Sequence, residues 1–430
     1  MKKFFKFSML LLAAVTISTG FTSCSKDKEE TNSNPIDTTP SSAIKIVTQQ
    51  YVENVVYPTY TNLANETEKL YNQLFAAKKA FRNNTLTQTD IDNICSTFKK
   101  ARAYWEVSEA FLYGPATTFG IDPHIDTWPL AISDLALELQ NTSKISQLDG
   151  NTEEEMEDAI SYATAFVGKE LLGFHGIEFI IFRDGQNRTL AALQAPEDDI
   201  NFTSALAPGA VVNGEEELIY ATAIAGDLMR HCFQLQVAWM GNAAGKERKL
   251  KVEDEWEMQT LSTSDYYGNN MLMATQAGST FKMWQSVLIT ILNSGCSNIC
   301  NEVANTKIGN AWTGEDVNYI ESPYSKMSFV DFRDNIQSIK NSLYGGINLS
   351  TPHEHSILSL LQDKNPALYN EMNAKLETAL TALDICIQGT SFVDIIKSSA
   401  KPQHVQNAID AINDLDSQLK AASSWAATIE

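Results

Sequence analysis

A histidine and a glutamate sit in the middle of an otherwise apolar stretch, Glu170-Leu-Leu-Gly-Phe-His-Gly-Ile-Glu-Phe-Ile-Ile-Phe182. His175 and Glu178 are three residues apart, so on a helix they project from one face, one above the other. The residues around them are apolar all round, the pattern of a helix buried on most sides. An imidazole and a carboxylate placed there lose their water and need a partner: each other, an arginine or a metal ion. One ion could take a nitrogen and an oxygen from the pair, as from the Glu-x-x-His pairs of helical di-iron bundles. Two ligands do not complete a site, because zinc or iron wants at least one or two more. The competing reading is a hydrogen-bonded core pair without an ion. Gly173 and Gly176 flank the pair and weaken a helix by about 1 kcal/mol each relative to alanine. Their presence implies that another backbone or a ligand comes close.

Further donors are available elsewhere. Between Arg102 and Gly114, the residues Arg102, Trp105 and Glu109 recur at spacings of three and four and share one helical stripe. Glu109 is the favoured third ligand, and its alternative role is to pair with Arg102 or Arg333 in a buried network. Asp126 beside Trp128-Pro129, and Glu321 with Ser325, are loop groups that could close the site. Arg333 could neutralise a buried carboxylate or hold an anion accompanying the metal. Zinc-dependent hydrolysis would require three protein ligands, an open position and a general base. Its usual helical source is His-Glu-x-x-His, and at His353-Glu354 the second histidine position is Ile357. His353 and His355 lie in a loop by Pro352; His124, His231 and His404 have no supporting neighbours in the sequence. No nucleophile elbow, P-loop or Cys–His signature is present.

The string Gly173-x-His175-x-x-Glu178, followed by Phe179-Ile-Ile-Phe182, resembles the GxHxxE signature of the imelysin family, also called the M75 peptidase-like family. Three further stretches resemble the same family in the same order. They are Ala101-Arg102-Ala-Tyr-Trp105-Glu-Val-Ser-Glu109-Ala-Phe111-Leu-Tyr-Gly114-Pro115, then Ile125-Asp126-Thr-Trp128-Pro129-Leu130, then Glu321-Ser322-Pro-Tyr-Ser325 running into Asp331-Phe332-Arg333-Asp334-Asn335. The resemblance implies two helical-bundle domains with the functional site between or beside them, and a link to bacterial iron uptake. It also carries a peptidase name, since the family was named for a proposed peptidase activity. Iron is therefore the expected metal, as an ion or a complex, with zinc as the alternative. Capture of iron at the cell envelope is the leading reading. The alternatives are an M75-type metallopeptidase and a non-catalytic ligand-binding or interaction bundle in which the His–Glu pair is structural. The aromatic residues Tyr104-Trp105, Trp128, Tyr266-Tyr267 and Tyr324 would suit a pocket for a haem or siderophore, although such residues are usually core. The residues themselves favour binding over catalysis.

The N-terminus supplies an address. Met1-Lys2-Lys3-Phe4-Phe5-Lys6 precedes an apolar run to about Ile17 and then Thr22-Ser23-Cys24. That is the layout of an export signal rather than a transmembrane helix. Ser23-Cys24 resembles a lipobox, with Phe21 where leucine or valine is usual. Residues 1–23 are read as the signal and Cys24 as the lipidated mature N-terminus. The polar, proline-containing stretch to Ser42 reads as a flexible tether. The charged run after Cys24 resembles a surface-export signal of some Gram-negative lipoproteins. The expected location is thus the cell envelope, as an outer-membrane lipoprotein exposed at the surface, with iron-transport components of that membrane as partners. The net charge of −21 becomes about −24 once a signal with three lysines and no acids is removed, which argues against nucleic acid. Cys95, Cys232, Cys296, Cys300 and Cys386 are an odd set without CxxC and read mostly as small buried residues.

Helical spacing dominates the body of the chain. Apolar stripes recur from Ile44 to Leu74, Ile91 to Trp105, Leu218 to Met240, Met271 to Val303, Phe329 to Leu343, Ile357 to Ile387 and Val405 to Ile429. Thr152-Glu-Glu-Glu155 resembles a capping box ahead of a helix near 153–168. Alternating strand-like runs are scarce. The expected class is all-α, with two helical-bundle domains, 43–245 and 246–430, arising by duplication. Breakers fall at Gly114-Pro115, Asp184-Gly185, Ala207-Pro208-Gly209 and Ser350-Thr-Pro352.

Overall fold

In a computed structural model, which describes residues 40–261 and 265–429, several long helices begin where a side chain takes up the first free backbone N–H groups. Thr87 with Asp90, Thr152 with Glu155 and Asn213 with Glu216 each form a reciprocal capping box. The principal helices are α1 (Pro40–Tyr51), α2 (Tyr57–Arg82), α3 (Gln88–Glu106), α4 (Glu153–Phe166), α5 (Gly173–Ile181), α6 (Gly214–Met240), α7 (Ser328–Tyr344), α8 (Pro366–Ile387) and α9 (Gln403–Ala426). A wider π-turn, Val52–Val56, carries α1 directly into α2. Among the described residues the only strands are β1 (Phe182–Arg183) and β2 (Gln186–Asn187), paired antiparallel. Asp184 and Gly185 turn between them at φ +54° and +81°, the left-handed pair that a two-residue hairpin favours. The fold is all-α.

Most expected stripes become helices. The helix near 153–168 is α4, and the stripes ending at Met240, Leu343 and Ile429 correspond to α6, α7 and α9. Two stripes are divided. Residues 357–387 form Ile357–Lys364 and α8, with Pro366 at the start of the second and the Asn365 side chain accepting from Leu368 N–H; proline suits a first turn, not an interior. Residues 271–303 are split among Tyr267–Leu272, Trp284–Ile289, the π-turn Thr290–Ser297 and Asn298–Glu302, with Gly278 at φ +97° in the intervening loop.

Residues 217–239 of α6 are all buried, with α2 packed along α6 and α3 packed on α2. Further along the chain α7 packs on α8, and α8 on α9. One contiguous apolar core runs from Ile44 to Ala426 and draws on both sides of residue 245. Polar contacts cross as well: Ala110 N–H donates to Ser338 Oγ at 3.0 Å. The expected division into 43–245 and 246–430 is therefore not seen as a break in packing, and the described residues cluster as one unit. Helix α1 opens at Pro40, three residues ahead of the expected start of the body. The signal 1–23, Cys24 and the tether up to 39 lie outside the described residues. No helix among the described residues is long and apolar enough to cross a membrane. Cys95, Cys232, Cys296, Cys300 and Cys386 are free and buried.

Candidate metal centre

Helix α5 holds the His–Glu pair in the interior, and all nine of its residues are buried. Fully burying a large apolar side chain contributes about 1.5–3 kcal/mol. Phe174, Ile177, Phe179 and Ile180, each 0 % exposed, thus outweigh the two glycines, which cost about 1 kcal/mol each. The glycines answer to close neighbours. Gly173 has φ +70°, and a Cβ there would stand 2.1 Å from the carbonyl oxygen of Ile125. At Gly176 a Cβ would stand 2.4 Å from the Tyr220 hydroxyl. The close approach at Gly173 brings the turn that carries Asp126 against the start of α5.

His175 is held at both nitrogens. Nδ1 lies 3.3 Å from Glu178 Oε2 and Nε2 lies 2.9 Å from Asp126 Oδ1. Trp105 Nε1–H donates to the other Asp126 oxygen at 2.8 Å. Glu178 Oε1 accepts three further hydrogen bonds, from Tyr324 N–H at 3.2 Å, Ser325 N–H at 2.7 Å and the Ser325 hydroxyl at 2.6 Å. Glu178 therefore does two jobs: it fixes the imidazole and anchors the loop that delivers Glu321. A carboxylate behind the non-ligating nitrogen is the usual way a metal-binding histidine is oriented. The nitrogen turned to the cluster is Nε2. His175 Nε2 or Nδ1, a carboxylate oxygen of Asp126 and one of Glu321 lie within 4.8 Å of one another.

Arg102 organises the carboxylates. Its guanidinium pairs with Glu106, Asp126 and Glu321, and its Nε stands 3.8 Å from Asp331 Oδ2. Lys307 Nζ lies 3.2 Å from Glu321 and 3.5 Å from Glu109. Six carboxylates, Glu106, Glu109, Asp126, Glu178, Glu321 and Asp331, thus share three cationic groups, Arg102, Lys307 and His175. Glu321 Oε2 is buried without a hydrogen-bond partner. Burial pushes Glu106, Glu109 and Asp331 well above the ordinary carboxylate range, only partly offset by Arg102 and Lys307. Asp126 goes the other way: burial would raise it, but the Arg102 charge and the His175 hydrogen bond outweigh burial and hold it low. Burial would also discharge His175, yet its bonds to Asp126 and Glu178 raise it to about 9.

The structure brings Arg102, Trp105, Asp126, Gly173, His175, Glu178, Glu321 and Ser325 together. Trp128 covers the same region, its ring centroid 6.5 Å from that of His175 and 4.3 Å from that of Tyr319. Two expectations need correction. Glu109, the favoured third ligand, is not grouped with His175 and Glu178; it lies with Glu106 and Asp126, one carboxylate further on. Helix α3 stops at Glu106 and the chain re-forms as the short 3₁₀ turn Glu109–Phe111, so the stripe read through Trp105 does not reach Glu109. Arg333 is outside the cluster. It is 31 % exposed and bonds Asp384 at 2.9 Å, because the inward face of α7 carries Asp331 and Asn335 instead. The residues not foreseen are Glu106, Lys307, Asp331 and Asn335, whose amide donates to Glu106 Oε2. Glu106, Asp331 and Asn335 sit inside the quoted motif stretches, so a signal existed; Lys307 had none.

Beside the cluster is a cleft of about 800 Å³, lined by Pro129, Leu130, Ile320, Pro323 and Tyr324 among others. It flanks both loops that carry Trp128 and Glu321. None of the cluster residues lines it, and none lines a second cleft of about 680 Å³ around Thr61, Phe233 and Arg248.

A second His–Asp grouping lies nearby in the chain. His124 Nδ1 is 2.9 Å from Asp227 Oδ2, and His231 Nδ1 is 3.3 Å from Asp227 Oδ1. The two imidazoles stack with centroids 3.6 Å apart. Neither histidine had supporting neighbours in the sequence.

A family model described as Imelysin matches residues 56–419. The chain is 22% identical over 335 residues to an iron-regulated protein A of Synechococcus elongatus, covering 78% of this chain and 74% of the relative. Among solved structures, a candidate iron-regulated protein A precursor from Parabacteroides distasonis superposes with a TM-score of 0.69 at 25% identity, covering 90% of this chain and 96% of that one. An imelysin-like protein from Psychrobacter arcticum shares the fold, with a TM-score of 0.54 at 11% identity over 89% and 94% of the two chains.

Proposed function

The chain belongs to the imelysin family, and on that premise we propose that it binds iron, as an ion or a complex, at the His175 cluster and serves iron acquisition at the cell envelope. The observation that carries the reading is the unspent donor capacity beside His175. Glu321 Oε2 has no hydrogen-bond partner in a buried setting, and six carboxylates there share three cationic groups. A buried charge that lacks a partner is costly, and a bound cation relieves that cost. One imidazole with two carboxylates suits iron or zinc, and the abundance of hard oxygen donors favours iron. His175, Asp126 and Glu321 would hold the ion once the Nε2 proton now shared with Asp126 is released on binding, with Glu178 keeping the imidazole in place and Arg102 positioning two of the three. The iron-regulated names of one relative and one structural neighbour support the same metal. The cleft over Pro129 and Tyr324 borders the loops that carry Trp128 and Glu321, and entry of an ion from that side is part of the proposal.

The test is metal analysis of full-length protein purified without chelator or His tag, followed by calorimetric titration with ferrous, ferric and zinc ions. Wild type should bind iron, and His175→Ala should not. Equal titration curves for the two proteins would sink the reading. Envelope anchoring through Cys24 belongs to the same proposal and is tested separately. Cys24→Ala should leave the membrane fraction; retention in a salt-washed membrane pellet would show the anchoring to be wrong.

A further inference from the structure

Lys307 reaches the cluster from the π-turn Val303–Lys307, an irregularity that is frequent at functional positions. Its side chain is 1 % exposed, and Nζ stands 3.2 Å from Glu321 Oε1, 3.5 Å from Glu109 Oε1 and 4.0 Å from Glu106 Oε2. A charge-assisted N–H···O bond between two committed partners closes to about 2.7–2.9 Å. None of the three does. The ammonium hangs among several carboxylates instead of docking on one, as a cation does in a cage.

The surrounding oxygens are arranged for a cation whether or not it is tethered. Donor atoms of Glu106, Glu109 and Asp126 lie within 4.8 Å of one another, and Asp126 also belongs to the group with His175 and Glu321. Glu321 Oε2 is buried and without a hydrogen-bond partner, although its other oxygen faces both Lys307 and Arg102. The two resident cations differ in kind. Arg102 offers a rigid planar fork that is already engaged with Glu106, Asp126 and Glu321. Lysine is a compact point charge on a flexible stem, so removing its charge frees a small cation-sized position among carboxylates without rebuilding the site.

We infer that Lys307 Nζ occupies a second cation position of this cluster, bounded by Glu106, Glu109, Asp126 and Glu321, and thereby limits the cluster to one metal ion at the His175 end. This inference rests on the iron-binding reading above for the first position only. It makes Lys307 the residue that sets stoichiometry: with the charge removed, the second position opens to a divalent cation.

The experiment counts bound ferrous iron per chain in chelator-free full-length protein, by anaerobic calorimetry and by metal analysis after desalting. Wild type should take one ion and Lys307→Gln two. Lys307→Arg, which keeps the charge, should take one, and Lys307→Gln combined with Glu109→Gln should return to one. A single ion in folded Lys307→Gln, at wild-type affinity, overturns the inference while leaving the His175 reading intact. No ion in wild type but one in Lys307→Gln overturns the His175 reading and supports this one; no ion in either overturns both. Should Lys307→Gln fail to fold by itself, refolding with ferrous iron replaces the count. Recovery of native circular dichroism by the ion supports the inference, and no recovery overturns it.

Discussion

The two buried histidine clusters use the same residue types and start two residues apart, at His124 and Asp126, yet they are built to opposite rules. Around Asp227 both carboxylate oxygens are engaged, although His124, Asp227 and His231 also bring their donor atoms within 4.8 Å of one another. Asp227 Oδ1 accepts from the Thr164 hydroxyl at 2.6 Å, its Oδ2 faces His124 Nδ1 at 2.9 Å, and its backbone carbonyl faces His231 Nδ1 at 2.9 Å. Lys169 closes the other edge of His124. One carboxylate serves two imidazoles, and none of its own oxygens is left without a partner. A fully satisfied buried network of this kind rigidifies a core. Around His175 the balance is reversed, with carboxylates in excess and a buried oxygen of Glu321 unmatched. Residue type alone does not mark a metal centre. Donor capacity that the protein leaves unspent does, because only there does an added cation lower the energy of groups already buried.

The contrast can be broken most forcefully at Arg102. Removing one partner from a buried ion pair leaves uncompensated charge and costs about 3–5 kcal/mol. Arg102→Met, which strips the guanidinium from Glu106, Asp126 and Glu321, should cost at least that much in urea unfolding; a loss below about 1 kcal/mol would show that the acid-rich side does not depend on it.

Metal dependence comes next. Iron at a hundredfold excess over its dissociation constant should stabilise wild type by about 2.7 kcal/mol. His175→Ala should abolish that gain in thermal unfolding, while His231→Gln should retain it. If both variants keep the shift, the iron sits elsewhere.

Asp227→Asn sharpens the comparison from the other side. An isosteric amide that leaves one buried donor mismatched costs about 1–3 kcal/mol, and iron stoichiometry should stay at the wild-type value. A change in stoichiometry would move the second cluster into the metal-binding class.

The smallest effect is expected at Arg333, which pairs with the half-exposed Asp384. Such surface pairs are worth about 0–1 kcal/mol, so Arg333→Ala should barely alter the melting temperature and leave iron binding unchanged. Loss of iron binding in this variant would restore the role expected for it from the sequence.

Much of the frame was legible in the sequence. The buried character of α5, the need for close approach at its glycines, the capping box at Thr152 and the turn at Asp184-Gly185 all follow from short-range rules. Each depends on the order of neighbouring residues and on backbone geometry within one element. The same rules failed at Glu109, since helical periodicity predicts a shared face only while the helix lasts, and α3 ends at Glu106. They failed at residues 271–303 for the same reason, because an apolar stripe does not say where the backbone turns away.

The sequence by itself determined that an imidazole and a carboxylate would share one buried face at 175 and 178, and that they would need partners. Only the tertiary structure decided which partners those are. Ser325, which anchors Glu178, is 147 residues away along the chain, and Glu321 and Lys307 arrive from segments with no periodic relation to α5. The packing of those segments onto α3 and α5, together with the shared excess of buried carboxylate that results, sets Nε2 of His175 against Asp126 and Nδ1 against Glu178, with a Glu321 oxygen close by. No spacing rule can encode that choice, because it is made by the competition of several distant charges for the same few ångströms of desolvated space.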